Sequence, residues 1–169
     1  QDQRGYNRFV SSQPQYSALW RVIEAEVVPL SVREGIGQIV WSPMAQGVLT
    51  GKYLPGKKAP AGSRATDKKS GAEMISRWMK DDVLEAVQLL KQIAESLDLS
   101  MSQMALAWVL QNPNISSAIM GATKPAQIKD NVKASGVKLP PEVMKAIDGA
   151  IGKVAERDPK KNVSPNPRP

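Results

Sequence analysis

Apolar positions change their period along the chain: short unbroken apolar runs alternate with stretches in which apolar residues recur every three or four positions. Three runs predict buried strands, Arg8 to Gln13 (RFVSSQ), Gln38 to Trp41 (QIVW) and Ile115 to Met120 (ISSAIM), each followed by polar or turn-forming residues. The helical period is strongest over Asp82 to Leu97, where Val83, Ala86, Val87, Leu90, Ile93, Ala94 and Leu97 share one face. A second helix starts after Ser100, whose spacing to Gln103 makes a capping box, and its stripe of Met104, Ala105, Trp108 and Val109 stops before Pro113. Val28 to Glu34 predicts a short helix with Pro29 in its first turn and Gly35 just past its end. Thr123 or Lys124 caps another that runs to about Ser135, with Ile128 and Val132 facing inward. A last helix begins near Pro140 and Pro141 and carries Val143, Met144, Ile147, Ile151 and Val154.

Strands alternating with helices imply parallel βαβ units, so the expected class is α/β, with three parallel strands in an open sheet or in part of a barrel. Residues 1–157 form the folded portion. Residues 158–169 (DPKKNVSPNPRP), rich in proline and charge, are expected to be extended or disordered. Leu54 to Lys80 is long and rich in glycine, proline and lysine, which predicts a mobile loop or a functional lid.

Composition narrows the function classes. Among 169 residues, 41% are hydrophobic and 23% charged, the balance of a folded protein and not of a wholly disordered chain. No uninterrupted apolar stretch is long enough for a membrane span, and the start QDQRGYNRF lacks the parts of a signal peptide, so no membrane partner is expected. There is no cysteine, hence no disulfide and no thiolate metal site, and a cytoplasmic location is the default. There is also no histidine, which removes the usual general base and the commonest metal ligand. The net charge of +7 comes from lysines and arginines scattered among acidic residues, with no nucleic-acid motif, so these read as solvated surface. A small phosphorylated ligand remains compatible.

Two strand ends carry candidate chemistry. After the second strand, Trp41-Ser42-Pro43-Met44-Ala45-Gln46-Gly47-Val48-Leu49-Thr50-Gly51-Lys52-Tyr53 lets backbone amides, the Ser42 hydroxyl and Lys52 surround a phosphate; a tight connection beside a core tryptophan is the equally weighted alternative. After the third strand, Gly121-Ala122-Thr123-Lys124-Pro125-Ala126-Gln127-Ile128-Lys129-Asp130-Asn131 enters a helix whose N-terminus attracts anions. Gln127, Asp130 and Asn131 there offer polar groups on one face, although an ordinary capped amphipathic helix has the same look.

Taken together, FVSSQPQYSALWR, VWSPMAQGVLTGKY, the pair Ser63-Arg64 and GATKPAQIKDN resemble, in order and spacing, the aldo-keto reductases, in the branch with bacterial reductases and potassium-channel beta subunits. The resemblance implies the C-terminal portion of a (β/α)8 TIM barrel, with the three strands as its last three, and NADP(H) as cofactor. It implies that Gln13 hydrogen-bonds the nicotinamide carboxamide and Trp41 stacks on its ring. Ser42, Met44, Gly47, Thr50 and Lys52 lie along the pyrophosphate, and Arg64 clamps it. Gly121, Thr123, Lys124, Gln127, Asp130 and Asn131 hold the adenosine end, with Thr123 and Lys124 near the 2′-phosphate. PAQIKDN offers lysine and glutamine where strongly NADP-preferring members carry an arginine, which narrows the preference for NADPH.

The family's catalytic aspartate, tyrosine, lysine and histidine belong to the first half of the barrel, so no catalytic residue and no metal ligand is expected here. Tyr6, Tyr16 and Tyr53 stand in the wrong context to replace the catalytic tyrosine, with Tyr16 expected at the rim of the site. The implied activity is NADPH-dependent reduction of an aldehyde or ketone by the full protein, with the carbonyl compound and the N-terminal half of the barrel as partners. The alternatives are a non-catalytic NADP(H)-binding or regulatory subunit of the channel-beta kind and an inactive truncated fragment.

Overall fold

The computed structural model describes residues 4–162. The three apolar runs pair as a parallel sheet in the order β1 (Ser11–Ser12), β2 (Gly37–Trp41), β3 (Ile115–Ile119). Regular pairing in β1 is shorter than the expected Arg8 to Gln13, because Pro14 has no N–H with which to continue the ladder. The register nevertheless persists: the Gly37 N–H donates to the Val10 carbonyl, and Gln15 bridges Trp41. β2 begins one residue earlier than expected, and β3 stops at Ile119, leaving Met120 in the loop beyond. A register shift between Gln38 and Ile39 makes Ser116 the extra residue of β3. A Cβ at Gly37 would meet the Ser116 Oγ at 2.5 Å, so a side chain there would require that hydroxyl to turn away.

Alternation gives the two faces of the sheet different fates. Gln38 and Val40 are wholly buried, Val40 in the main core, while Gly37, Ile39 and Trp41 point the other way. On that second face Trp41 is 38% exposed and Ile119 43%. Helices cover the first face. α1 (Val27–Glu34) starts one residue before the expected Val28 and ends where Gly35, at φ 67°, donates its N–H to the Ser31 and Val32 carbonyls. α3 (Asp81–Ser96) buries Val83, Leu84, Val87, Leu90 and Ala94 and packs on α6 (Pro141–Ile151). α6 ends at Ile151, so Val154, expected within it, lies in the following turn. α4 (Met101–Leu110) carries both bonds of the capping box, Gln103 N–H to Ser100 Oγ at 3.2 Å and Ser100 N–H to Gln103 Oε1 at 2.9 Å. It is buried from Gln103 to Val109 because it packs against both β3 and α3.

Several expectations are corrected. The helix after β3, α5 (Pro125–Asn131), has Lys124 as its N-cap and passes into a 3-10 turn, Val132–Ala134, short of Ser135. Ile128 and Val132 face outward, and Asn131 and Ala134 are buried instead. The cause lies in α4: Gln103 Nε2 donates to Asp130 Oδ1 at 2.8 Å and Ser100 Oγ to Asp130 Oδ2 at 3.0 Å, turning the polar face of α5 inward. Leu54 to Lys80 is not one loop. It holds a 3-10 turn at Arg64–Thr66, α2 (Gly71–Ile75) and a second 3-10 turn at Ser76–Trp78, anchored by fully buried Ile75 and nearly buried Trp78. Tyr16 is in the core, not at a rim, with its ring centroid 5.3 Å from that of Trp108 and its hydroxyl donating to Glu24 Oε1 at 2.8 Å. In the expected tail, Pro159–Lys161 form a 3-10 turn capped by Asp158, and residues 163–169 lie outside the described residues.

Candidate functional site

Because all three strands are parallel, their carboxyl ends open on one side, and the segments after β2 and β3 meet there. They form the walls of a cleft of about 700 Å³, closed on a third side by residues 62–64. Of the fourteen residues singled out in the sequence, Ser42, Met44, Gly47, Thr50, Lys52, Arg64, Gly121, Thr123, Gln127, Asp130 and Asn131 line it. Lys124 does not, and neither do Gln13 and Trp41. The last two lie close by on the open face of the sheet: Gln13 is exposed, and the Trp41 N–H donates to the carbonyl of Pro14, the next residue.

The wall after β2 is held in an unusual backbone path. Ser42, Ala45 and Gln46 all have positive φ (54°, 47° and 62°), followed by Gly47 at 96°. Non-glycine residues in this region cost about 1–3 kcal/mol each and persist where the surroundings compel them. Here buried Ala45, Val48, Leu49 and Tyr53 anchor the segment in the core. The result folds Lys52 back over it, and a Cβ at Gly47 would lie 3.3 Å from the Lys52 Nζ. The Thr50 hydroxyl donates to the Gly47 carbonyl at 2.8 Å and so braces the same turn.

Two cations and one orphaned hydroxyl define what the cleft can hold. Among the described residues no carboxylate pairs with Lys52 or Arg64; Arg64 instead donates to Gln46 Oε1 at 3.0 Å, and the Gln46 amide reaches Ser42 Oγ at 3.4 Å. Ser63 is buried and its Oγ has no partner, although the residue lines the cleft. Asp130 is the one acidic group in the lining, and both its oxygens are committed to α4. Gln127 is likewise occupied on one side: its Oε1 accepts from the Thr123 and Lys124 N–H groups at 2.8 and 3.2 Å, capping α5. What remains free is a set of donors and cations, which suits a phosphate-bearing ligand.

Gln46, Ser63 and Ser102 also line the cleft and were not singled out in the sequence for the site. Gln46 was legible only as part of a small-residue loop, since its left-handed φ is what turns it toward Arg64. Ser102, in the first turn of α4, carried no local signal. None of the described tyrosines lines the cleft, with Tyr16 and Tyr53 buried and Tyr6 exposed elsewhere. Among the described residues no helix is long and apolar enough to cross a membrane.

Comparison with known proteins extends the picture. The profile of the "Aldo/keto reductase family" matches residues 2–151. A probable voltage-gated potassium channel subunit beta of Oryza sativa subsp. japonica is 43% identical over 145 residues, covering 84% of this chain and 44% of the relative. Protein tas of Escherichia coli is 34% identical over 147 residues, covering 87% of this chain and 41% of the relative. An uncharacterized oxidoreductase of Bacillus subtilis is 32% identical over a similar span. Among solved structures, a glycerol dehydrogenase from Gluconobacter oxydans superposes with a TM-score of 0.67 at 24% identity, over 94% of this chain and 46% of that one, which shows the fold. The chain therefore spans less than half the length of these relatives. With three parallel strands, their covering helices and a family profile that takes in most of its length, the chain is part of a TIM barrel and belongs to the aldo/keto reductase family.

Proposed function

We propose that this chain supplies the NADP(H) contacts of an aldo-keto reductase that, as a full-length protein, reduces an aldehyde or ketone to an alcohol. The observation that carries the reading is the cleft at the strand ends, in which Lys52 and Arg64 face ligand space with no carboxylate partner among the described residues. The residues fit the cofactor on chemical grounds: Ser42, Lys52, Ser63 and Arg64 hold the pyrophosphate, and Thr123 and Asn131 receive the adenosine end. Lys124, at the mouth of the same turn, reaches the 2′-phosphate from outside the lining. Trp41 offers an exposed indole face for the nicotinamide, with Gln13 beside it for the carboxamide.

When bound, the reduced nicotinamide supplies a hydride. The chain's own residues bind, orient and neutralise charge; the proton that the nascent alkoxide requires comes from a group outside these 169 residues. In this reading the carbonyl compound and the N-terminal half of the barrel are the partners, and the setting is the cytoplasm. The experiment is an equilibrium titration of the full-length protein with NADPH and NADH. NADPH is expected to bind at least about tenfold tighter, with the margin lost in a Thr123→Val, Lys124→Ala variant. Failure of both nucleotides to bind would overturn the reading.

The identity with proteins named as probable channel beta subunits favours a second reading, a nucleotide-binding subunit without turnover. Carbonyl-dependent NADPH oxidation by the full-length protein separates the two: tight binding with no oxidation across a panel of aldehydes and ketones favours the subunit.

A further inference from the structure

A second cleft, of about 670 Å³, shares no lining residue with the first. Its walls are Trp20, Arg77, Trp78, Lys80, Lys153 and Lys160, drawn from four separate stretches of chain. These walls are held by the fold. Trp78 is nearly buried and meets Trp20 edge to face, with centroids 6.2 Å apart at 85°. The Arg77 guanidinium carbon lies over the Trp20 ring, 4.8 Å from its centroid. The C-terminal wall is laced to the same place by backbone bonds, Glu156 N–H to the Leu19 carbonyl and Arg21 N–H to the Glu156 carbonyl, both 2.8 Å.

The charge of this cleft is unbalanced. Lys161 is paired with Glu156, whose carboxyl it holds below the usual carboxylate range, so those two cancel. Asp82 remains as the single unpaired acid in the lining, against Arg77, Lys80, Lys153 and Lys160. Among the described residues none of these four cations lies within ion-pair distance of a carboxylate. The first-turn carboxylates Asp81 and Asp82 already answer the N-terminus of α3, which adds nothing to the site. A guanidinium fixed on an indole keeps its edge donors free and loses little side-chain freedom on binding an anion. The volume is that of a small-molecule site, and cations spaced around its rim suit several linked charges better than one.

We propose that this second cleft binds a small oligophosphate, with Arg77 as its anchor and Lys80, Lys153 and Lys160 along the chain of phosphates. Recognition is by charge and by the forked guanidinium. The site is independent of the nucleotide contacts proposed for the first cleft.

The test is inorganic tripolyphosphate titrated into full-length protein labelled with ¹⁵N-tryptophan, the Trp20 and Trp78 indole N–H resonances being assigned through Trp20→Phe and Trp78→Phe. Both resonances are expected to shift in a saturating way with Kd below about 1 mM at near-physiological salt of about 0.15 M. An Arg77→Gln, Lys80→Gln variant should weaken this about tenfold or more. If that variant unfolds, Lys153→Gln, Lys160→Gln replaces it, with the same weakening expected. Shifts at Trp41 without shifts at Trp20 would put the ligand in the first cleft and overturn the proposal. Equal effects of citrate at matched ionic strength would overturn it as phosphate recognition, and so would the absence of saturation.

Discussion

Gln46 sits in a left-handed conformation that an L-residue adopts at a cost, and from there it accepts a hydrogen bond from Arg64. Those two facts predict opposite effects of one substitution. Gln46→Gly should relieve strain and stabilise the fold by about 1 kcal/mol, yet leave Arg64 without its partner, so thermal stability rises while nucleotide affinity falls. Parallel melting curves and cofactor titrations check this, and a simultaneous rise of both would show that the Gln46 side chain contributes nothing to the site. Arg64→Ala should weaken nucleotide binding by about 1.5–3 kcal/mol, the range for a charge-assisted contact, when titrated in the full protein. Unchanged affinity would return Arg64 to a solvated loop residue. At Tyr16 the structure makes a pH prediction. Burial, reinforced by the neighbouring Glu24 charge and hydrogen bond, pushes the phenol well above its ordinary value of 10.0. Below that ordinary value both folded and unfolded states are protonated and the contribution is complete. Above it the unfolded chain ionises first, so stability falls, by up to about 1.4 kcal/mol per pH unit. Denaturant titrations between about pH 8 and 11 should show a steeper decline in the wild type than in Tyr16→Phe.

The segment from Leu54 to Lys80 changes meaning at the level of elements. Its composition predicts a mobile loop or a functional lid, but fully buried Ile75 and nearly buried Trp78 tie its second half into the core, so only the part around Arg64 is free to respond to a ligand. Hydrogen exchange should find residues 71–78 protected with and without nucleotide, and protection around residues 62–66 gained on binding. Gly71 joins the two parts. A Cβ there would meet the Arg64 carbonyl at 2.6 Å and the Asp67 Cβ at 2.9 Å. Gly71→Ala is therefore expected to destabilise by about 1–3 kcal/mol and to lower nucleotide affinity by displacing the Arg64–Thr66 turn, without touching the cleft itself. Stability loss with unaltered affinity would uncouple the two. α5 teaches the complementary lesson: its apolar periodicity pointed Ile128 and Val132 inward, and Asp130, captured by Ser100 and Gln103, overrode it.

For the whole molecule, the decisive feature is that helices cover one face of a three-stranded sheet, leaving Trp41 and Ile119 exposed on the other, with β1 and β3 unpaired on their outer sides among the described residues. Open edges beside exposed apolar side chains promote association. The 169-residue chain by itself is expected to self-associate at micromolar concentration, and to show no carbonyl reduction, since among the described residues no tyrosine, histidine or cysteine lines its cleft. Light scattering coupled to size exclusion, together with NADPH oxidation measured beside the full-length protein, tests both. A monodisperse, active monomer of 18.4 kDa would overturn the whole-barrel reading.

The sequence by itself determined the α/β class, the parallel strand–helix alternation, the capping box at Ser100 and the residues of both strand-end loops, because each depends on spacing within a dozen positions. It also carried the family resemblance, which rests on the order of those same motifs. Tertiary structure alone decided which way α5 faces, that Gly71, Ile75 and Trp78 are buried, and that Tyr16 is buried instead of standing at a rim. It alone brought Gln46 to Arg64 and set Arg77 over Trp20. Those outcomes depend on contacts between segments distant in sequence or on a left-handed backbone. Neither leaves a period or a propensity for a local reading to detect.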